Sequence, residues 1–343
     1  MEVILLVFSL IIILICAELF TNGVESLGEK FSLSQAVVGN ILAAIGTALP
    51  ETIIPLVAIL LYKGESGAHI GVGAILGAPF MLITVGLFLV GFGVFISYFL
   101  KRREKLEIYL EPHIFMKDFA FFLLSYSLAI FFPLIFPNTQ SLHYLIAIFL
   151  LFNYTIYLFF TFKAESLKIE SCEELYFAKF LKFSNLNPHK KFISVFLSIF
   201  QIIFALVIMI KGAHIFVENL EILAKNWGID PLLFSLLLAP VATELPEKSN
   251  SFLWSLRKKD ILALGNMTGA MVFQSTFPVS IGLLFTSWEI KGLALASALI
   301  TLSLGTIYLL FLKIFKKLPP YILLISGCFY LIYVYLVIKT FYS

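Results

Sequence analysis

The sequence predicts an all-α polytopic membrane protein: about ten transmembrane helices forming two inverted five-helix repeats. Three observations predict it. The chain of 343 residues is 60% hydrophobic and only 13% charged, where a soluble domain is nearer half apolar and a quarter charged. Runs of ~20 apolar residues recur along the whole length, each long enough to cross ~30 Å of hydrocarbon. And one short segment, "GTALPE" at Gly46–Glu51, returns as "ATELPE" at Ala242–Glu247.

Hydropathy places the spans at roughly 3–27, 35–62, 69–99, 118–136, 142–162, 192–222, 231–255, 261–286, 288–312 and 319–339. The first starts directly after Met1-Glu2, without the basic flank of a cleavable signal. The longest polar stretch, Lys163–Lys191, falls between the fifth and sixth spans. It is Lys-rich and is expected to be a solvated, partly helical connector. It divides the chain into 1–162, the connector 163–191, and 192–343. No span or loop suggests a separate soluble domain, a cofactor motif or a nucleic-acid partner. Cys16, Cys172 and Cys328 are scattered and read as unpaired.

The loops set the orientation. One side collects Lys30, then Lys101, Arg102, Arg103, Lys105 and Lys117, then the connector lysines, Arg257–Lys259, Lys313, Lys316 and Lys317. The other side has only Lys63, Lys225, Lys291 and Lys339. The positive-inside rule puts the basic side in the cytoplasm and both termini outside, in the cell membrane.

Superposing Glu51 on Glu247 also sets Pro50 on Pro246, Leu49 on Leu245, Thr47 on Thr243 and Glu25 on Glu221. After a small gap, Gly73 falls on Gly265 and Gly77 on Gly269. Five spans is an odd number, so the second half enters the membrane from the opposite side, the symmetry common in secondary transporters.

The repeated segment points to chemistry. Proline lacks an N–H and crowds the carbonyl one turn earlier, so each Leu-Pro-Glu is expected to break its helix. The freed carbonyls lie around Gly46 and Thr47 in one half, and around Ala242 and Thr243 in the other. In lipid a freed carbonyl must find a partner or line a polar cavity, and a cation is such a partner. Thr47 and Glu51 are one turn apart, as are Thr243 and Glu247, so each pair shares a helix face. Inversion brings both carboxylates, Glu51 and Glu247, to the midplane. Oxygen ligands of this kind suit a hard cation such as Ca2+.

The paired Gly/Ala-Thr-x-Leu-Pro-Glu and Gly-x-x-x-Gly segments resemble the alpha repeats of the cation/Ca2+ antiporter superfamily, which includes Na+/Ca2+ and Ca2+/H+ exchangers. The resemblance is close over about 36–82 and 232–275. It implies a secondary antiporter working by alternating access. Its cation site would use Glu51 and Glu247 as metal ligands, with hydroxyls from Thr47 and Thr243. Departures are informative. Na+/Ca2+ exchangers carry polar residues after the second glycine, whereas "GAILGAPFML" has Ala78 and Leu82 there and "GNMTGAMVFQ" has Ala270 and Gln274. Gln274 is similar to the Ca2+/H+ branch. Lost oxygens disfavour sodium, and buried carboxylates can carry protons, so H+ is the expected counter-ion and Na+ the alternative.

Several residues admit more than one role. Glu244 stands one turn before Lys248, and two readings stay open: a private ion pair, or a third carboxylate in the cation site. The glycine pairs read as close helix packing, with Asn266 placed to donate within that contact. Glu18, in the first span, is assigned an accessory or gating role. His214 and Glu218 are expected to pair locally, and Lys211 to snorkel. His69, His113, His143 and His189 are expected to be solvated. An intramembrane hydrolase is disfavoured, because Asp118, Asp230 and Asp260 sit at span edges and Gly64–Gly67 lies in a loop. A cation channel remains the other alternative, though inverted halves favour alternating access.

Overall fold

The computed structural model describes residues 1–31, 48–62, 65–137, 139–164, 175–183 and 191–341. All regular structure among them is helical. In chain order the helices are α1 (Glu2–Lys30), α2 (Leu49–Leu60), α3 (Glu65–Met81), α4 (Leu87–Phe99), α5 (Pro112–Ile135) and α6 (Gln140–Ala164). Then follow α7 (Tyr176–Phe183), α8 (Lys191–Trp227), α9 (Pro231–Leu256), α10 (Asp260–Gln274), α11 (Phe277–Phe285), α12 (Gly292–Phe315) and α13 (Pro320–Phe341).

Among the described residues, eight helical stretches are long and apolar enough to cross a membrane, and α2 and Pro231–Glu244 are shorter apolar helices. Glu65–Phe99 counts as one such stretch because a π-helical turn, Leu82–Gly86, joins α3 to α4. A π turn leaves a backbone acceptor out of register, and here Ser326 of α13 donates to the Thr84 carbonyl at 2.9 Å. The eighth expected span is interrupted at Ser275–Thr276, between α10 and α11. The second is described only from Ala48 onward, so Gly46 and Thr47 lie outside the described residues.

Two apolar cores hold the bundle. One gathers α1, α2 and α8 around Ile13, Val57 and Phe216. The other is built from α3 to α6 and α10 to α13 around Phe80, Phe122, Met267 and Tyr308. The helix α9 packs along α3. A Cβ added at Gly73 or Gly77 would fall on the carbonyls of Leu232 and Leu236. Without those side chains the two backbones touch, and Ser235 Oγ donates across the seam to the Ile70 carbonyl at 2.7 Å.

Several expectations are corrected. The helix does not break at Pro246: α9 runs unbroken from Pro231 to Leu256. A single interior proline removes one hydrogen bond, and flanking bonds and tertiary packing can carry the helix across it. His143 is not solvated but 2% exposed, because α6 turns it inward against the α11–α12 loop. His214 does not pair with Glu218; its ring lies 5.6 Å from that of Tyr62. Arg103, counted among the loop charges, is buried. Its guanidinium donates to both oxygens of Asp260 at 2.6 and 2.5 Å and to the Ser255 carbonyl at 2.5 Å. Asp260 also accepts from the Tyr109 N–H at 2.9 Å, so the α9–α10 corner is clamped to the loop after α4. Cys16 and Cys328 are free thiols.

Candidate functional site

Pro50 lies in the first turn of α2. There its missing N–H removes a donor that would have no intrahelical partner anyway. The Ala48 carbonyl accepts from the Thr52 N–H at 3.2 Å and the Thr52 hydroxyl at 2.7 Å. This start fixes Glu51 one residue later, 9% exposed and turned into the protein.

Glu51 walls two cavities. The smaller, about 10 Å³, lies between α2, α3 and α9 and is lined by Glu51, Ala78, Pro240, Thr243 and Glu244, among others. A space of that size holds about one water-sized particle. Glu244 is fully buried and Thr243 is 2% exposed. The Thr243 hydroxyl donates to the Ala239 carbonyl at 3.0 Å, which leaves its oxygen able to accept or to coordinate.

The larger cavity, about 230 Å³, brings Glu51 together with Lys248, Asn266, Gln274 and the ring of Tyr157. Gln274 ends α10 just before the Ser275–Thr276 interruption and is 2% exposed. Its Oε1 is buried and receives no hydrogen bond among the described residues. Asn266 Nδ2 donates to Ser251 Oγ at 2.9 Å, which ties α10 to α9. Gly265 and Gly269 line this cavity, and among the described residues a Cβ at Gly265 would meet nothing within 4 Å. The expected packing role holds for Gly73 and Gly77; the residues at 36 and 40 that repeat Leu232 and Leu236 lie outside the described residues.

The structure thus brings together Glu51, Thr243 and Glu244 in one cavity, and Glu51, Asn266 and Gln274 in the next. Ala242 lies on the same helix, where Pro246 has no N–H to offer its carbonyl. The side chain of Glu247 lies outside the described residues. Glu18 lines neither cavity; its Oε1 accepts from the Tyr176 hydroxyl at 3.0 Å and so holds the connector helix α7. Among the described residues, no group of three or more His, Cys, Asp and Glu side chains is placed to hold a metal ion. Pro240, Tyr154 and Tyr157 are wall residues that the sequence reading missed. Only Pro240 carries a local signal, a second proline within the apolar run before Pro246.

Apolar helices that cross a membrane, with carboxylates and an amide oxygen buried around internal cavities, define a polytopic membrane protein built to handle ions. The sodium/calcium exchanger protein family model matches residues 1–163 and 197–339, and the chain belongs to that family. Among curated proteins it is 25% identical to an uncharacterized membrane protein of Methanocaldococcus jannaschii, over 84% of this chain and 83% of that one. It is 24% identical to the inner membrane protein YrbG of Escherichia coli, over 84% and 82%. Among solved structures, the H+/Ca2+ exchanger CAX superposes with a TM-score of 0.66 at 18% identity, covering 99% of this chain and 85% of that one. The sodium-calcium exchanger NCX_Mj superposes at 0.54 and 21%, covering 97% of each. These two establish likeness of fold.

Proposed function

We propose that this protein is a secondary active antiporter that exchanges Ca2+, or another divalent cation, for H+ by alternating access. The observation that carries the reading is the small cavity in which Glu51 from α2 faces Thr243 and Glu244 from α9. All the donors there are oxygens, and two carboxylates suit the charge of one hard divalent cation. Glu51 and Glu247 are the principal ligands, with Thr47, Thr243, Glu244 and Gln274 completing the set and the carbonyls of Gly46 and Ala242 lending acceptors. Asn266 positions α10, and Glu18 is accessory through α7. The two halves, 1–162 and 192–343, are inverted repeats within about ten spans. The interruptions support this: the π turn at Leu82–Gly86 and the gap at Ser275–Thr276 fall at matching places when Gly77 is set on Gly269. The basic loops face the cytoplasm and both termini lie outside.

Proton coupling is favoured because Ala78 presents a methyl group to the small cavity where the family pattern carries a polar residue. The fold itself admits either counter-ion, since one similar structure is an H+/Ca2+ exchanger and the other a sodium-calcium exchanger. Purified protein in liposomes tests the reading. A pH gradient should drive Ca2+ uptake, and a Na+ gradient at clamped pH should not. Sodium-driven uptake would replace H+ by Na+, and uptake with no counter-ion would make the protein a channel. Glu51→Gln and Glu247→Gln should each abolish exchange with folding intact, since an amide is easier to bury than a carboxylate. Wild-type transport in either would refute the site.

A further inference from the structure

We propose that Asp118 is a proton-relay residue between the larger cavity and the side of the basic loops, reached through the hydroxyl of Tyr157. The inference rests on the proton-coupled reading above and assigns the proton a route separate from the cation's ligands. Asp118 lies in the second turn of α5 and is 3% exposed. Thr268 of α10 donates to its Oδ2 at 2.6 Å. Tyr157 of α6 stands beside the same groups, with Lys117 Nζ 5.3 Å over its ring. The same tyrosine walls the cavity that contains Glu51, and a Cβ at Gly269 would lie 3.8 Å from its hydroxyl.

On the other side of Asp118 stands Lys117, whose side chain is 26% exposed. Its Nζ lies 4.0 Å from Asp118 Oδ1 and 3.1 Å from Thr161 Oγ1. Lys117 on its own helix and Tyr157 on α6 are charged and titratable groups set against Asp118. Polar groups therefore line the way from the cavity wall, at Tyr157, through Asp118 to a partly exposed cation. A carboxylate at this depth is expensive in a membrane protein, and proton relays are a principal use for one. As a mere staple between α5 and α10, an asparagine would accept the Thr268 hydrogen bond equally well.

The transfer balances without any other reagent. A proton from cavity water binds the Tyr157 oxygen while the tyrosine's own proton passes to the Asp118 carboxylate. The resulting carboxylic acid releases that proton to water beside Lys117, and the hydroxyl turns back. Passage from the basic-loop side to the cavity is the reverse.

The test uses full-length protein in liposomes and two readouts: Ca2+ uptake driven by a pH gradient, and exchange of radiolabelled Ca2+ for unlabelled Ca2+ at equal pH. Asp118→Asn should slow the first by on the order of a hundredfold, the lower end of what a positioned proton-transfer group supplies, and leave the second unchanged. Tyr157→Phe should slow the first in the same direction, and Asp118→Glu should restore it. Proton-driven uptake at the wild-type rate in Asp118→Asn would overturn the proposal. An equal loss of both readouts, not rescued by Asp118→Glu, would also overturn it and leave a structural role. Failure of the wild-type protein to use a pH gradient, with Ca2+/Ca2+ exchange intact, would show instead that the proton reading itself is wrong.

Discussion

Pro50 and Pro246 stand in the same Leu-Pro-Glu triplet and act differently on their helices. Pro50 opens α2, where a missing N–H removes nothing. Pro246 lies inside α9, which continues for more than two turns beyond it. Identical residues therefore free a backbone acceptor in one half and mark a helix start in the other. The neighbouring positions diverge as well. Before the first triplet stands Ala48, and before the second Glu244, which is fully buried. The two segments share a sequence pattern, and of the two positions the second alone carries a carboxylate.

The largest effect expected from this asymmetry is at Glu244 and Lys248, which have no matching acid or base in the first half. Both are buried, at 0% and 3% exposed, one turn apart on α9. Removing one of two buried opposite charges destabilises by about 3–5 kcal/mol in soluble proteins, and removing both is far milder. Lys248→Met should therefore lower the melting temperature in detergent, and Glu244→Gln/Lys248→Met should recover it. Cation affinity should behave differently, falling with Glu244→Gln in either background. Full recovery of affinity in the double variant would remove Glu244 from the ligand set and make the second half's extra charges purely structural.

Next in size are the prolines. An interior proline costs a helix ~3 kcal/mol or more, and one in the first turn almost nothing. Pro246→Ala should raise thermal stability by up to about 3 kcal/mol and slow transport, because its new N–H would occupy the Ala242 carbonyl. Pro50→Ala should leave melting nearly unchanged. Equal shifts at both positions would erase the contrast between the two triplets.

Much of this was legible in the sequence, for identifiable reasons. Apolar runs of membrane-spanning length marked the helices, because in lipid every backbone group must be satisfied within its own segment. Glu51, Thr243, Glu244 and Gln274 stood out because polar groups are rare in such runs, and the structure sets each of them on a cavity wall. The rest depends on partners far away in the chain. Arg103 looked like one of several loop charges, and only the fold delivers Asp260 to it. His143 looked like a span-end residue, and only the α11–α12 loop buries it. Whether Pro246 breaks or is carried by its helix depends on surroundings that no local pattern encodes.

The smallest expected effect separates the two glycine pairs, and it tests the same asymmetry through packing. A methyl group at Gly77 would meet the Leu236 carbonyl and come within 2.7 Å of Pro240 Cγ. One of these obstacles is backbone, so α3 and α9 must move apart. Overpacking of this kind costs typically 1–3 kcal/mol, set against a gain of up to ~1 kcal/mol when alanine replaces glycine within a helix. Gly77→Ala should be net destabilising by about 1 kcal/mol. At Gly265 a methyl group meets nothing within 4 Å among the described residues, so against them only the helix gain remains and Gly265→Ala should melt at or slightly above the wild-type temperature. Its effect should appear in transport instead, since the methyl group projects into the cavity shared with Glu51 and Gln274. Thermal melting of the two variants side by side decides the matter. If Gly265→Ala destabilises as much as Gly77→Ala, the second pair packs against backbone as the first does, and the halves are more alike than the cavity implies.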